Sequence, residues 1–447
     1  MNRQRLHHIL FAVCLCLAIA LPGTAGAYQQ ADLQGVWEFQ SLASGPGAPW
    51  WERSRATIAS NGSFIAHTND ISGGADTLQA SLALSPSGVV TFAGSPAFRG
   101  VLDAGTTVLV GTDTWSSGSP GTTELRVGLK MGVGYALSNL SGPWELNIIA
   151  SGPGAPWWER GRITVAADGN FSGTLTDHLG QPDASSGSLG LTSGGILTLA
   201  GSNTGRGAMD VGRTVMVMTS TWDGFAAGTA DLTVGVKMAS SYALADLVGT
   251  WELNSLATGP GAPRWGRGQM TIAANGSYVG SSTASNGESG PISGTYSITP
   301  QGVVTRAGSS TIRGALDAGK TVLVGTDIWA TTSPGTTELL IATKMAIGAT
   351  SDVPSEAALS FALDPVRPNP SRASTLTFRL ALPGTAPAQL ELLDVSGRRV
   401  AEREVGSLGA GRHTVALGAG LQLAPGVYMA RLRAGSSVRV ARVVVLD

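Results

Sequence analysis

The sequence predicts an all-β protein: three tandem β modules followed by a smaller β domain of another kind. Three observations carry this. A 107-residue unit occurs three times with no insertion or deletion. Within each unit, short runs rich in Val, Ile, Thr, Trp and Tyr are separated by Gly-, Asn- and Pro-containing turns. The residue usage of helices is scarce: charged residues make up only 13% of the chain, and 62 of its 447 residues are glycine.

The chain opens on a targeting pattern. Arg3 and Arg5 precede an uncharged apolar run from Ile9 to Leu21, and Ala25-Gly26-Ala27 follows. Such a run is too short for a stable span, and small residues after it suit a signal peptidase. Residues 1–27 are therefore expected to be a signal peptide cleaved after Ala27, and the mature chain to be secreted or held at the outer cell surface. Cys14 and Cys16 both lie inside the apolar run, which continues past them, so a lipoprotein cleavage site is the weaker reading. The mature chain then has no cysteine, hence no disulfide, cysteine metal site or thiol nucleophile. No second long apolar run follows, so no membrane span is expected. A net charge of −1 argues against a nucleic-acid partner.

The repeat begins at Leu33, Leu140 and Leu247. Trp37, Trp144 and Trp251 keep the 107-residue step, as do Arg99, Arg206 and Arg313, then Asp103, Asp210 and Asp317. Trp115, Trp222 and Trp329 keep it too, followed by Lys130, Lys237 and Lys344. The modules are expected at 33–139, 140–246 and 247–346, each long enough for an independent core. Each unit reads as eight short strands in an antiparallel meander. Asn275-Gly276 marks one hairpin, read as a type I′ turn. Eight such strands can close into an up-and-down barrel, which removes unpaired edges. A faint likeness between the two halves of the third unit, 45 residues apart, leaves an alternative: two blades per unit and one six-bladed propeller.

Gly-x-Trp on the first strand (Gly35/Trp37, Gly142/Trp144, Gly249/Trp251) resembles the opening of lipocalin-like and avidin-like barrels. Ser293–Thr305 resembles the middle of bacterial lipocalin-like modules. The match covers about half of each unit. It implies a barrel whose mouth holds a small apolar ligand, with no fixed ligand-lining motif. The second copy departs from it, with Pro143 in the opening and Gly187-Ser188-Leu189 where the third has Gly294-Thr295-Tyr296.

Composition shifts over 347–357, read as a linker. Residues 358–447 then show alternation in Leu376–Leu380, Val427–Leu432 and Val438–Val443, about seven strands that fit a small immunoglobulin-like sandwich. Pro368-Asn369-Pro370, Asp394–Arg398, Leu408–Gly411, Pro425–Tyr428 and the final basic-apolar strand closely resemble the C-terminal sorting domain of type IX secretion cargo. The resemblance implies that this domain engages the type IX secretion machinery and is often removed afterwards.

No catalytic constellation is evident. His67, His178 and His413 do not fall at equivalent repeat positions, and no HExxH, paired-His or Gly-x-Ser-x-Gly pattern with a His partner occurs. No cofactor is expected. Asp168-Gly169-Asn170 resembles part of a calcium loop but lacks its other acidic positions, and reads as a hairpin turn. Glu38, Glu145 and Glu252 follow the strand-one tryptophans and are expected to face solvent. Arg99/Asp103 and their copies read as ion pairs on one strand face, and the three lysines as solvated.

The most unusual segment is Ser151–Arg162, "SGPGAPWWERGR", with copies at Ser44–Arg55 and Thr258–Gln269. Gly and Pro enforce a loop, and adjacent aromatics cannot share one strand face. Trp50, Trp51, Trp157, Trp158 and Trp265 are therefore candidate ligand-binding residues, one of each pair facing solvent or a neighbouring module. Arg264 replaces the first tryptophan in the third copy. The function expected is non-catalytic binding or adhesion, with a glycan, a small apolar ligand or a surface component as partner. A structural surface-layer role is the alternative, and a secreted hydrolase the least favoured reading.

Overall fold

The computed structural model describes residues 28–346 except 225 and 330–332, and residues 361–446 except 364–368, 373–375, 383–386, 409–410, 418–422 and 436. The expected signal peptide and linker lie outside the described residues. The chain divides into two compact units, 1–350 and 351–447.

In the first unit each repeat closes on itself as an eight-stranded antiparallel barrel, which excludes the propeller. In the first barrel the strands are β1 (Gly35–Ser44), β2 (Trp50–Ile58), β3 (Ser63–Asp70), β4 (Ala75–Leu84), β5 (Val89–Phe92), β6 (Ser95–Leu102), β7 (Val108–Thr114) and β8 (Thr123–Lys130). β8 pairs with β1, so no edge is left open. One end of each barrel is plugged. A 3-10 turn (Gln30–Leu33, Leu137–Leu140, Leu244–Leu247) crosses it. There Trp37, Trp144 and Trp251, fully buried, each donate from the indole to the last carbonyl of that turn at 2.7 Å. Lys130, Lys237 and Lys344 donate to the preceding carbonyl of the same turns at 2.7–2.9 Å, so they are half-buried clamps rather than solvated ends.

The hairpins between the second and third strands differ from the type I′ expectation. Only the glycine (Gly62, Gly169, Gly276) has positive φ, and its amide bonds back three residues, giving a type I turn closed by a left-handed glycine. Asp168 accepts the amide of Asn170 in such a turn.

The three barrels do not have independent cores. One apolar cluster runs through all of them, including Leu42, Val110 and Leu125 of the first, Ile149, Val217 and Leu232 of the second, and Leu256, Val324 and Leu339 of the third. These side chains sit on the outer faces of the first, seventh and eighth strands. The outer face of β1 packs on the seventh and eighth strands of the second barrel (Val215–Thr221, Ala230–Lys237). The second barrel's first strand (Gly142–Ser151) packs in the same way on the third, and the third's (Gly249–Thr258) on β7 and β8. Three heterologous interfaces of the same kind thus close a pseudo-threefold ring. At two junctions a tyrosine hydroxyl in the connecting segment accepts an amide from three residues earlier: Tyr135 from Gly132 and Tyr242 from Ala239. At the third junction, where no peptide joins the modules, Tyr28 accepts from Ala346 at 3.0 Å.

In the second unit, Ala362–Leu363, Thr377–Leu382 and Gly411–Ala416 form a three-stranded sheet. Ser371–Arg372, Ser437–Leu446, Gly426–Ala434, Ala388–Leu393 and Arg399–Glu404, in that order, form a five-stranded one. The sheets share a core that includes Phe378, Leu390 and Val443. Asn369 is bonded through both amide atoms to the last strand, at Arg442 and Val444. The Tyr428 hydroxyl donates to the Ala424 carbonyl at 2.7 Å.

Candidate functional site

The tryptophan-bearing loops lie where the ring closes. In Ser44–Arg55 and its copies, each proline ring occupies the space over a glycine of the next loop. A Cβ at Gly152 would stand 2.7 Å from Pro49, at Gly259 2.6 Å from Pro156, and at Gly45 2.6 Å from Pro263. All three glycines also have positive φ, so both halves of the Gly-Pro pattern are used in interlocking the loops.

The second tryptophan of each loop points into a seam between barrels. Trp51 donates to the Thr221 hydroxyl at 2.8 Å and Trp265 to that of Thr114 at 2.7 Å. At the place equivalent to Thr221 the third barrel has Ile328, which carries no hydroxyl, and among the described residues the buried indole N–H of Trp158 has no partner. An arginine two residues on stacks over each indole: Arg53, Arg160 and Arg267, at 4.0, 4.3 and 3.9 Å. Each guanidinium crosses into the next barrel. Arg53 bonds Thr219 and Thr204, Arg160 bonds Thr326 and Thr311, and Arg267 bonds Thr112 and Ala97. Burial, then repulsion by Arg206, Arg313 and Arg99 respectively, pushes their pKa values down to about 10.

The seams also absorb the other repeated charges. Glu38, Glu145 and Glu252 do face away from the tryptophan, as strand alternation requires, but into a seam instead of solvent; all three are buried. Arg99 pairs with Glu252 at 3.3 Å and Arg313 with Glu145. The expected Arg99–Asp103 pair does not form. Asp103 instead accepts the backbone amides of Gly105, Thr107 and Val108 at 2.8–2.9 Å, and Asp210 and Asp317 do the same in their own turns. An acid four residues after an arginine signals an ion pair, whereas the turn that follows claims the carboxylate.

The first tryptophan of each loop, half-buried, stands at the open end of a barrel. Trp50 meets Trp115 edge-on at 5.9 Å, and Trp157 meets Trp222 at 5.1 Å. Arg264 takes this place over Trp329 at 4.7 Å. The partner tryptophans donate to Glu124, Asp231 and Glu338 at 2.7–3.0 Å. Those acids were not singled out from sequence. Their signal is an acid nine residues after the tryptophan in every copy.

The lumens behind these mouths differ. The first holds a cavity of about 220 Å³. Phe39, Phe64, Phe92 and Phe98 make its apolar depth, and Glu52, Asp76, Asp113 and Arg126 its polar end. Burial opposes the charge on Arg126, but Glu124 and Glu52, at 3.0 and 3.1 Å, outweigh it and hold the guanidinium firmly protonated. In the second barrel the positions of Ser41 and Gly111 carry Ile148 and Met218, which pack with Leu146 and Met216. Its mouth gathers Glu159, Asp177 and Asp183, and burial and the two aspartates push the Glu159 pKa up to about 7. The third barrel holds about 500 Å³. Among the described residues no group of three or more His, Cys, Asp or Glu is placed to hold a metal ion.

No family model and no curated protein matches the chain. Similar solved structures include a protein of the DUF3598 family from Nostoc punctiforme, 11% identical, covering 48% of this chain and 99% of that one with a TM-score of 0.18. Transferrin binding protein B from Neisseria meningitidis is 9% identical over 69% of this chain and 75% of its own, TM-score 0.25. The BSP domain of a biofilm associated protein is 11% identical over 95% and 62%, TM-score 0.16. Identity and TM-score are too low for any of these to speak to ligand or activity.

Proposed function

We propose that this chain is an exported, non-catalytic binding protein of the cell surface whose first barrel takes a small apolar ligand. The observation that carries the reading is the lumen of that barrel: four phenylalanines deep inside, charges confined to the mouth, and a Trp50–Trp115 corner at the rim. An enclosed apolar space with a few convergent polar groups is the usual form of a small-molecule site. Trp50 and Trp157 remain the rim contacts; Trp51, Trp158 and Trp265 serve the seams. Titration of the chain from Tyr28 onward with the uncharged fluorophore N-phenyl-1-naphthylamine tests this. Phe92→Arg, which puts a charge into the apolar depth, is expected to weaken binding at least tenfold. Unchanged binding in that variant, or none in the parent, sinks the reading.

The second unit, on this reading, directs export by a type IX-like route, with an immunoglobulin-like sandwich as its fold. Two packed sheets, the Asn369 bridge to the last strand and the Tyr428 bond to the chain upstream support it. In a host with that pathway, a chain ending at Ala346 should stay in the periplasm while the full chain reaches the medium or surface. Equal export of both would remove the sorting role.

A further inference from the structure

The third lumen is related to the first position by position, two repeat steps (214 residues) on, and its chemistry is different. Phe92 becomes Arg306, Leu82 becomes Tyr296 and Phe64 becomes Tyr278. At the polar end Glu52 and Asp76 become Gly266 and Gly290, while Arg126 becomes Leu340. The first lumen and its rim thus set four carboxylates (Glu52, Asp76, Asp113, Glu124) against one guanidinium. The third and its rim set three (Glu288, Asp327, Glu338) against Arg264 and Arg306, with Arg267 also in the wall but bonded into the seam. Glu52, which pairs with Arg126 at 3.1 Å in the first lumen, has no counterpart in the third.

The two arginines are not equivalent. Arg264 is occupied at the rim, paired with Glu288 at 3.0 Å and stacked on Trp329. Glu338 is occupied by Ser255 at 2.6 Å and Trp329 at 2.9 Å. Arg306 lies half-buried in the cavity wall, opposite Tyr296 in the strand pairing. Among the described residues no hydrogen bond or ion pair holds its guanidinium; Asp327 feels its charge only at longer range. Beside it, Tyr278 and Tyr296 stack at 4.7 Å with their planes 22° apart, and burial raises the pKa of Tyr296, so its phenol stays neutral. A half-desolvated guanidinium with unused donors is a fork for a planar oxyanion, and a neutral aromatic pair is a wall for a flat apolar body.

We propose that the third barrel is a second ligand site, specific for small organic anions: a carboxylate or sulfonate on a flat apolar body, held by Arg306 with the body against the Tyr278–Tyr296 pair. The proposal rests on the reading that the lumens bind ligands, and gives the first and third barrels different ones. The probe is 1-anilinonaphthalene-8-sulfonate, titrated into the chain from Tyr28 onward by fluorescence and calorimetry, alongside the uncharged N-phenyl-1-naphthylamine. Arg306→Phe, which copies the first barrel, is expected to weaken the anionic probe at least tenfold and leave the uncharged one unchanged. Phe92→Arg should do the reverse. Arg306→Lys, which keeps the charge but loses the fork, should fall between, and its melting curve guards against a folding artefact in Arg306→Phe. Sulfonate binding indifferent to both Arg306 variants overturns the proposal, as does no sulfonate binding at all. If the uncharged probe alone fails, the first-barrel reading falls and this one stands.

Discussion

Arg53, Arg160 and Arg267 make the same bonds to three different neighbours, whereas Phe92, Leu199 and Arg306, spaced just as regularly, line three different lumens. The contrast has a physical cause. A ring of heterologous contacts closes only if every contact turns the chain through nearly the same angle, so a change in one seam strains the other two. A lumen carries no such obligation. Its barrel is held by ladder hydrogen bonds, by the tryptophan-capped plug and by the apolar outer faces, all of which ignore the residues pointing inward. Seams therefore tell how the protein is built, and lumens are where the three copies become different.

The largest effect should come from breaking a seam. Arg267 spans from the third barrel to the first and donates to Thr112 and Ala97 at 2.6–2.8 Å, at the one junction that no peptide reinforces. Arg267→Ala leaves buried carbonyls and the Thr112 hydroxyl unpaired and removes the cation from Trp265, for an expected loss of about 3 kcal/mol. Urea unfolding of the parent and the variant reads it. A loss below about 1 kcal/mol would mean that the apolar cluster alone closes the ring.

Much of this was legible in the sequence, and the rest was hidden for two reasons. The barrel, its eight strands and the repeat register follow from turn chemistry and from a 107-residue step, both local or periodic signals. Strand alternation says which face Glu38 takes and is silent on whether that face is wet. The outer faces of β7 and β8 carry the missing information: Val108, Val110, Leu125 and Val127 are apolar and buried although they point away from the lumen that Arg126 lines. An apolar outer face on a barrel strand predicts a neighbour. Alternation requires the adjacent tryptophans to face apart, one of them towards solvent or another module, and the arginine two residues later marks the seam member of each pair. The diverged lumen residues were invisible for a different reason. Phe92 and Arg306 are equally plausible in an alternating strand, and only closure of the barrel turns them toward a cavity.

The smallest effect should come from repairing a seam. Gln40 reaches across from the first barrel and accepts the hydroxyl of Thr219 at 2.9 Å, the same threonine that Arg53 grips. The equivalent residues, Asn147 and Asn254, are one methylene shorter; both amide atoms of each are buried without a partner among the described residues. Their counterparts across the seam, Thr326 and Thr112, are in place and bonded to Arg160 and Arg267. Lengthening the side chain should join the existing network without displacing it, and an extra buried hydrogen bond is worth about 1 kcal/mol. Asn147→Gln is therefore expected to raise the urea midpoint, and Gln40→Asn to lower it by a similar amount. Stability unchanged or reduced in Asn147→Gln would show that the second seam is packed too tightly to take the extra carbon, and that the three seams match in their arginines alone.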